Sequence, residues 1–410
     1  MLVQFEVNNF ASIKDTVTFS LKAGTKNTHS FHIRKYDLLQ SVVLYGANAS
    51  GKSNLLKAMN MMVALVLNKN KVSSSVDRLE HQPFLLNSET ETASTSFEMI
   101  FIVDEIIYRY GFEYDRETVY AEWLFADEKG TEAKLFYRDI DEKFYVNPTK
   151  FKEGKGLEDR TLDNHLFLWK CDSENGTISK KIIKWFFQLN MIDGLDNRGK
   201  DTTNKLDDRF FKKNILELVK VADLGILDID TKEDSRYPSL LEIYKELNIK
   251  KTITIHKKFD KDNNLIGDVA FNLQENESLG TRKFFTISSP ILDALENGTV
   301  LIIDELDASL HPLLTMHLIK MFHNKELNKK NAQLIFATHD TNLLQDDLLC
   351  RDQVWFAEKD TYGATDIYSL LEYKVKTRKD SNKEKLYLQG RYGAIPYIGE
   401  FHFEDLKNES

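Results

Sequence analysis

The chain has 410 residues, 42% hydrophobic and 29% charged, enough for two domains or one large one with an ample core. A formal charge of −9 argues against a protein coated in nucleic acid, while leaving local basic patches open. Two distant cysteines, Cys171 and Cys350, exclude a disulfide framework and a cysteine zinc site, and fit a reducing cytoplasm.

Residues 2 to 21 read as two short strands, with Val3, Phe5 and Val7 alternating and then Val17, Phe19 and Leu21. That alternation is not a signal peptide, and no apolar run reaches the ~18 residues of a membrane helix. Loop-like sequence is expected up to Gln40. An apolar strand, Val42-Val43-Leu44, then runs into Tyr45-Gly46-Ala47-Asn48-Ala49-Ser50-Gly51-Lys52-Ser53-Asn54. This stretch fits G-x-x-x-x-G-K-[ST] at every fixed position, with the strand before and helix after that the pattern requires. Gly46 and Gly51 let successive backbone N–H groups face a phosphate chain. Lys52 is expected to reach the outer phosphates and the Ser53 hydroxyl to ligate Mg²⁺. Leu55, Leu56, Met59, Met62, Val63 and Val66 give the following helix an apolar face.

After His81-Gln82-Pro83-Phe84 the sequence predicts strands at 97–103, 106–114, 119–125 and 135–137, with Asp104-Glu105 as a tight turn. These suggest an antiparallel layer beside a nucleotide-binding sheet. From about 146 to 250 the periodicity becomes helical: Ile182, Trp185, Phe186 and Leu189, then Phe211, Ile215, Leu218, Val219 and Ala222, then Leu240 to Leu247. Asn204-Lys205-Leu206-Asp207 mimics a guanine-reading motif, with Asp196 to Gly199 just before it. The two pieces are too close in sequence to sit on successive strands, so a solvated loop is expected. Thr252 to Phe259 and Leu265 to Phe271 predict a hairpin.

Asn297-Gly298 marks a turn before Val300-Leu301-Ile302-Ile303, an apolar strand ending in Asp304-Glu305. Such a strand suits the middle of a parallel sheet, whose C-terminal edge is where ligands bind. Asp304 is expected to hold the Mg²⁺ water shell and Glu305 to act as general base. Upstream, Glu277-Ser278-Leu279-Gly280-Thr281 opens an amphipathic helix. Downstream, Leu334 to Thr338 is a further strand terminating in His339, which could reach a γ-phosphate.

Phosphate loop, S-x-G, hydrophobic D-E and strand-end His, in that order, resemble an ATP-binding-cassette (ABC) ATPase head of the SMC, RecF and OLD type. The run G-x-N-x-S-G-K-S-N-L-L is characteristic of those heads and adds Asn48, Ser50 and Asn54 to the nucleotide-binding set. Ser278 and Gly280 match the signature loop, Ala308 to His311 the D-loop and His339 the switch histidine. A Q-loop assignment to Gln82 rests on approximate position alone. Phe5 to Phe10, Asp304 to Pro312, Thr338-His339-Asp340 and Gly390 to Pro396 are also similar to small ATPases of phage defence, of RloA or AbiL type, whose second gene encodes a Toprim-like protein.

The resemblance implies an α/β fold: a P-loop ATPase head of mixed sheet plus antiparallel β layer, with a largely helical insertion. Its parts would be 1–145, the insertion 146–250, and 251–410. It implies ATP and Mg²⁺ as ligands, and a head-to-tail homodimer or higher oligomer. In that assembly Lys52, Ser53, Asp304, Glu305 and His339 act from one copy, and Ser278 and Gly280 from the other. Two functions stay open. One is the sensor or regulatory ATPase of an antiphage, abortive-infection system with a separately encoded effector. The other is a DNA repair or recombination ATPase of the RecF kind. For the latter, basic residues between Lys374 and Arg391, with Lys250, Lys251, Lys257 and Lys258, would contact phosphates. A solvated basic face, rather than nucleic-acid contact, is the expected reading of these residues.

Overall fold

Each central strand beside the phosphate-loop helix alternates its side chains between two apolar layers, while the antiparallel strands on the helix's other side turn one apolar face inward. The computed structural model describes residues 1–24, 28–194, 199–233, 250–345, 348–373 and 382–396. The proposed helix at Leu240 to Leu247, Asp196 to Arg198, and the basic residues from Lys374 to Lys379 lie outside them.

An antiparallel sheet has the order β10-β9-β8-β7-β6-β1-β2. It is built from β1 (Leu2–Asn8), β2 (Val17–Ser20), β6 (Thr95–Val103), β7 (Ile106–Tyr114), β8 (Val119–Asp127), β9 (Glu132–Asp139) and β10 (Tyr145–Val146). Asp104 and Glu105 turn between β6 and β7 with φ of +48° and +62°, the left-handed pair that a two-residue hairpin turn needs. The expected loop before Gln40 instead holds a two-stranded hairpin, β3 (Ser30–Ile33) and β4 (Tyr36–Leu39). Phe31, Ile33, Tyr36 and Leu38 pack it onto Val3, Ile102 and Ile107. Intervening His32, Arg34 and Lys35 mask this alternation in the sequence.

The central sheet runs β11-β15-β16-β5-β17-β18. It comprises β5 (Ser41–Tyr45), β11 (Asn190–Asp193), β15 (Val300–Asp304), β16 (Gln333–Ala337), β17 (Val354–Lys359) and β18 (Thr365–Ser369). All its pairs are parallel except β17–β18, so the sheet is mixed. A third, antiparallel sheet joins β12 (Ile226–Glu233), β13 (Lys250–Phe259) and β14 (Leu265–Asn272).

Helix α1 (Lys52–Val66) lies between the two large sheets. Its Leu55, Met59, Met62 and Val66 share a core with Phe5, Phe97, Met99 and Phe112 on one side and Val42, Leu44, Ile302 and Ile335 on the other. The opposite faces of the same central strands (Val43, Leu301, Ile303, Leu334, Phe336) form a second core with Phe284, Ile287, Ile291, Leu318, Ile319 and Phe322.

Residues 146–250 contribute α2 (Phe167–Ser173), α3 (Thr177–Phe187), α4 (Lys200–Lys205) and α5 (Arg209–Ala222), and also strands β11 and β12. Trp185 of α3 stacks on Phe101 of β6 with ring centroids 4.0 Å apart. Buried Glu122 of β8 accepts from the Tyr110 hydroxyl and from the N–H groups of Phe167 and Leu168, tying α2 to the antiparallel sheet. The segment is thus woven into the other layers. The chain continues through α6 (Leu273–Asn276), α7 (Leu279–Asn297), α8 (Pro312–His323) and α9 (Lys383–Leu388). Among the described residues no helix is long and apolar enough to cross a membrane.

Candidate functional site

Parallel pairing puts the ends of β5, β16 and β15 at one edge of the central sheet: Ala337 lies opposite Leu44, and Ile303 opposite Phe336. The phosphate loop leaves β5, His339 follows β16, and Asp304-Glu305 ends β15. β16 intervenes between the other two, so the loop and the acids stand roughly two strand spacings, about 9–10 Å, apart.

The loop is held by its neighbours. A Cβ on Gly46 would lie 2.4 Å from the Ala357 carbonyl oxygen and 2.5 Å from Ser50 Oγ. Gly51 has φ +106°, and a Cβ there would lie 2.2 Å from Thr365 Oγ1. No other residue fits either place. Thr365 Oγ1 donates to the Ser50 carbonyl at 3.0 Å and lies 2.7 Å from Ser12 Oγ, which accepts from Asn54 Nδ2 at 2.6 Å. Asn54 is therefore engaged with Ser12, while Asn48 is exposed at the loop's crest and Ser53 is half-buried at the first turn of α1.

Lys52 is 5% exposed, and its Nζ donates to the carbonyls of Gly46 at 2.8 Å and Ala47 at 3.0 Å. Burial pulls its ammonium below the usual lysine range, against the opposing charges of Asp304, Glu305 and Asp307. Partial burial and then the Lys52 charge hold His339 below the usual histidine range, with Asp307, Glu305 and Asp304 acting the other way. The parallel strand ends bring Lys52, Asp304, Glu305, Asp307 and His339 to one edge, which is consistent with these mutual influences. The His339 backbone N–H points at both Asp307 carboxylate oxygens, at 3.3 and 3.4 Å. Glu305 takes a left-handed φ of +50°, which ends the strand at Asp304.

Two buried oxygens at this edge, Ser50 Oγ and Asp304 Oδ1, have no hydrogen-bond partner among the described residues. Buried polar atoms normally find one, so this pair fits a site completed by a ligand. No cluster of three or more His, Cys, Asp or Glu able to hold a metal ion occurs among the described residues. A Mg²⁺ ion on Ser53 and Asp304 would therefore rely on phosphate oxygens and water for the rest of its shell, as is usual for that ion.

Ser278 caps α7: its Oγ accepts from the Thr281 N–H at 3.1 Å. The residue is exposed, and a Cβ on Gly280 would lie 3.0 Å from the Ser309 carbonyl oxygen. Ser278 bonds within α7 and Gly280 approaches Ser309; among the described residues no hydrogen bond joins either to the phosphate loop. His311 caps α8, with its Nδ1 accepting from Leu313. Gln82 donates to Glu80 at 2.9 Å and borders a cavity of about 500 Å³ with Ser12, Asn54 and Phe84.

Sequence reasoning missed Ser12, Thr365 and Gly194 altogether. Ser12 and Thr365 are 353 positions apart, and neither carries a local signature. Asp307 was visible only as part of the D-E-L-D run.

A family model described as "AAA domain, putative AbiEii toxin, Type IV TA system" matches residues 41–346. No curated protein matches the chain. Among solved structures, the SMC head domain from Thermotoga maritima is 10% identical with a TM-score of 0.39, covering 90% of this chain and 98% of that one. An SMC head bound to the C-winged helix domain of ScpA is 13% identical with a TM-score of 0.40, covering 90% and 97%. The cbiO1 structure from Clostridium perfringens, part of the ABC transporter complex cbiONQ, is 13% identical with a TM-score of 0.33, covering 95% and 96%.

Proposed function

Because the chain belongs to this AAA-domain family, its model spanning residues 41–346, we propose that it is an ATPase closing as a homodimer around ATP. The observation that carries the reading is the clustering of Lys52, Asp304, Glu305 and His339 at one sheet edge, with Ser50 Oγ and Asp304 Oδ1 buried and unpartnered.

The loop amides and the N-terminus of α1 favour a phosphate chain. Lys52, now satisfied by two loop carbonyls, can turn its ammonium to the outer phosphate oxygens. Ser53 and Asp304 would hold Mg²⁺, which when bound neutralises charge on the phosphates. Glu305 takes a proton from the attacking water as its oxygen bonds to the γ-phosphorus and the bond to the β–γ bridging oxygen breaks, leaving ADP and phosphate. His339, held neutral at neutral pH, donates a hydrogen bond to the γ-phosphate. Ser278 and Gly280, exposed or half-exposed at the start of a 19-residue helix, close over that phosphate from a second copy. Hydrolysis then releases the dimer, a switch of the rigid-body kind. The wider role is that of sensor or regulatory subunit in an antiphage module, controlling a separately encoded effector. No described feature favours the DNA-repair alternative, since most of its basic stretch lies outside the described residues.

The reading is tested by light scattering with Mg²⁺ and a non-hydrolysable ATP analogue. The mass is expected to double; a chain that stays monomeric at saturating analogue contradicts it. A second expectation concerns the loop's support. Thr365→Val keeps the side chain's shape but deletes the hydroxyl bonded to Ser50 and Ser12. ATP affinity should fall about tenfold, the worth of one net hydrogen bond. Unchanged affinity in equilibrium dialysis would remove Thr365 from the account.

A further inference from the structure

Helix α7, which begins beside Ser278, carries a lysine with no exposed surface: Lys283 is 0% exposed. A buried ammonium persists only where hydrogen-bond acceptors compensate its lost hydration. Lys283 Nζ donates to the carbonyl oxygen of Gly194.

Gly194 is the first residue beyond β11, and Asp193 before it lies opposite Asp304 in the parallel register. Its N–H donates to the Asp304 carbonyl at 2.8 Å. A Cβ on Gly194 would fall 2.0 Å from that same oxygen and 2.4 Å from the Glu305 carbonyl oxygen. Only glycine lets the chain lie this close to the acid-bearing turn. Residue 194 is therefore bonded through its N–H to the strand end that carries Glu305, and through its carbonyl to the helix that opens at Ser278. Glu305 sits at the junction in a left-handed conformation (φ +50°) that its surroundings must hold in place.

We propose that Lys283 is a positioning residue for Glu305, acting through Gly194. The inference rests on the ATPase reading above. The ammonium pins Gly194 against residues 304 and 305, and so fixes where the Glu305 backbone leaves the sheet. The same lysine stands five positions along the helix from Ser278. A second copy's triphosphate engaging Ser278 and Gly280 thus pulls on the helix that holds the carboxylate, coupling lid closure to alignment of the base.

The test is Lys283→Met, which keeps an apolar stem of similar size and deletes the donor. The turnover number kcat should drop roughly tenfold to a hundredfold, the usual result of a small misplacement of a reacting group. KM and directly measured ATP affinity should stay within about twofold. In a Glu305→Gln background the same change should add no further loss, because both substitutions then act on one step. Wild-type turnover in Lys283→Met overturns the inference. So does an equal loss in the Glu305→Gln background, or a loss of ATP affinity as large as that of kcat. A wild-type chain without ATPase activity overturns the ATPase reading instead. Should Lys283→Met fail to fold, Lys283→Arg, which keeps the charge but moves the donors, is read by the same criteria.

Discussion

Replacing Glu305 by Gln should cut ATP turnover about a thousandfold while leaving ATP binding intact. Glutamine keeps the size and polarity of the side chain but cannot accept the proton of the attacking water, and a positioned base supplies roughly 10²–10⁴ in rate. The expected loss corresponds to about 4 kcal/mol of transition-state stabilisation. Lys52, Ser53 and Asp304 are untouched, so the nucleotide still enters. Because release of the dimer depends on hydrolysis, light scattering with ATP and Mg²⁺ should find a lasting dimer where the wild type reverts to monomer. Turnover near wild type would show that Glu305 is not the base, and a variant that stays monomeric with ATP would contradict the dimer.

Lys52→Met should reduce ATP affinity by about a hundredfold or more, since Lys52 would contribute charge-assisted hydrogen bonds to the phosphates. The fold should survive. The native ammonium is already drawn below its usual range by burial, so an apolar stem removes a desolvation cost as well as the bonds to Gly46 and Ala47. Equilibrium dialysis with labelled ATP, alongside a melting curve close to wild type, checks both halves. Binding at wild-type strength would mean that the phosphate loop is not the nucleotide site.

The parts of the fold that were legible are those whose sequence pattern is local. Val42 to Leu44 with Gly46 and Gly51, and Val300 to Ile303 ending in Asp304-Glu305, announce strand, loop and acid within a dozen residues each. Their convergence follows from parallel pairing through β16. The hairpin of β13 and β14 was readable for the same reason, with Asp260 to Asn264 at its tip. Asn190 to Asp193 was not, because four residues in a polar stretch become a strand only by adding to the edge of β15. β12 likewise becomes a strand by pairing with β13. At the site, Gly46, Gly51, Lys52 and Ser53 are a contiguous signature. Thr365 and Ser12 act on Ser50 and Asn54 from other ends of the chain, and Gly194 matters because of what lies 2.0 Å from its missing Cβ. Such roles arise from tertiary contact and leave no mark on spacing.

The most direct measurement is a calorimetric titration of ATP, with Mg²⁺ present, into the wild-type chain. The clustering of Lys52 with Asp304, Glu305 and His339 predicts saturable heat with one nucleotide per chain, lost in Lys52→Met. A wild-type protein that is folded and yields no heat with ATP would contradict the whole arrangement.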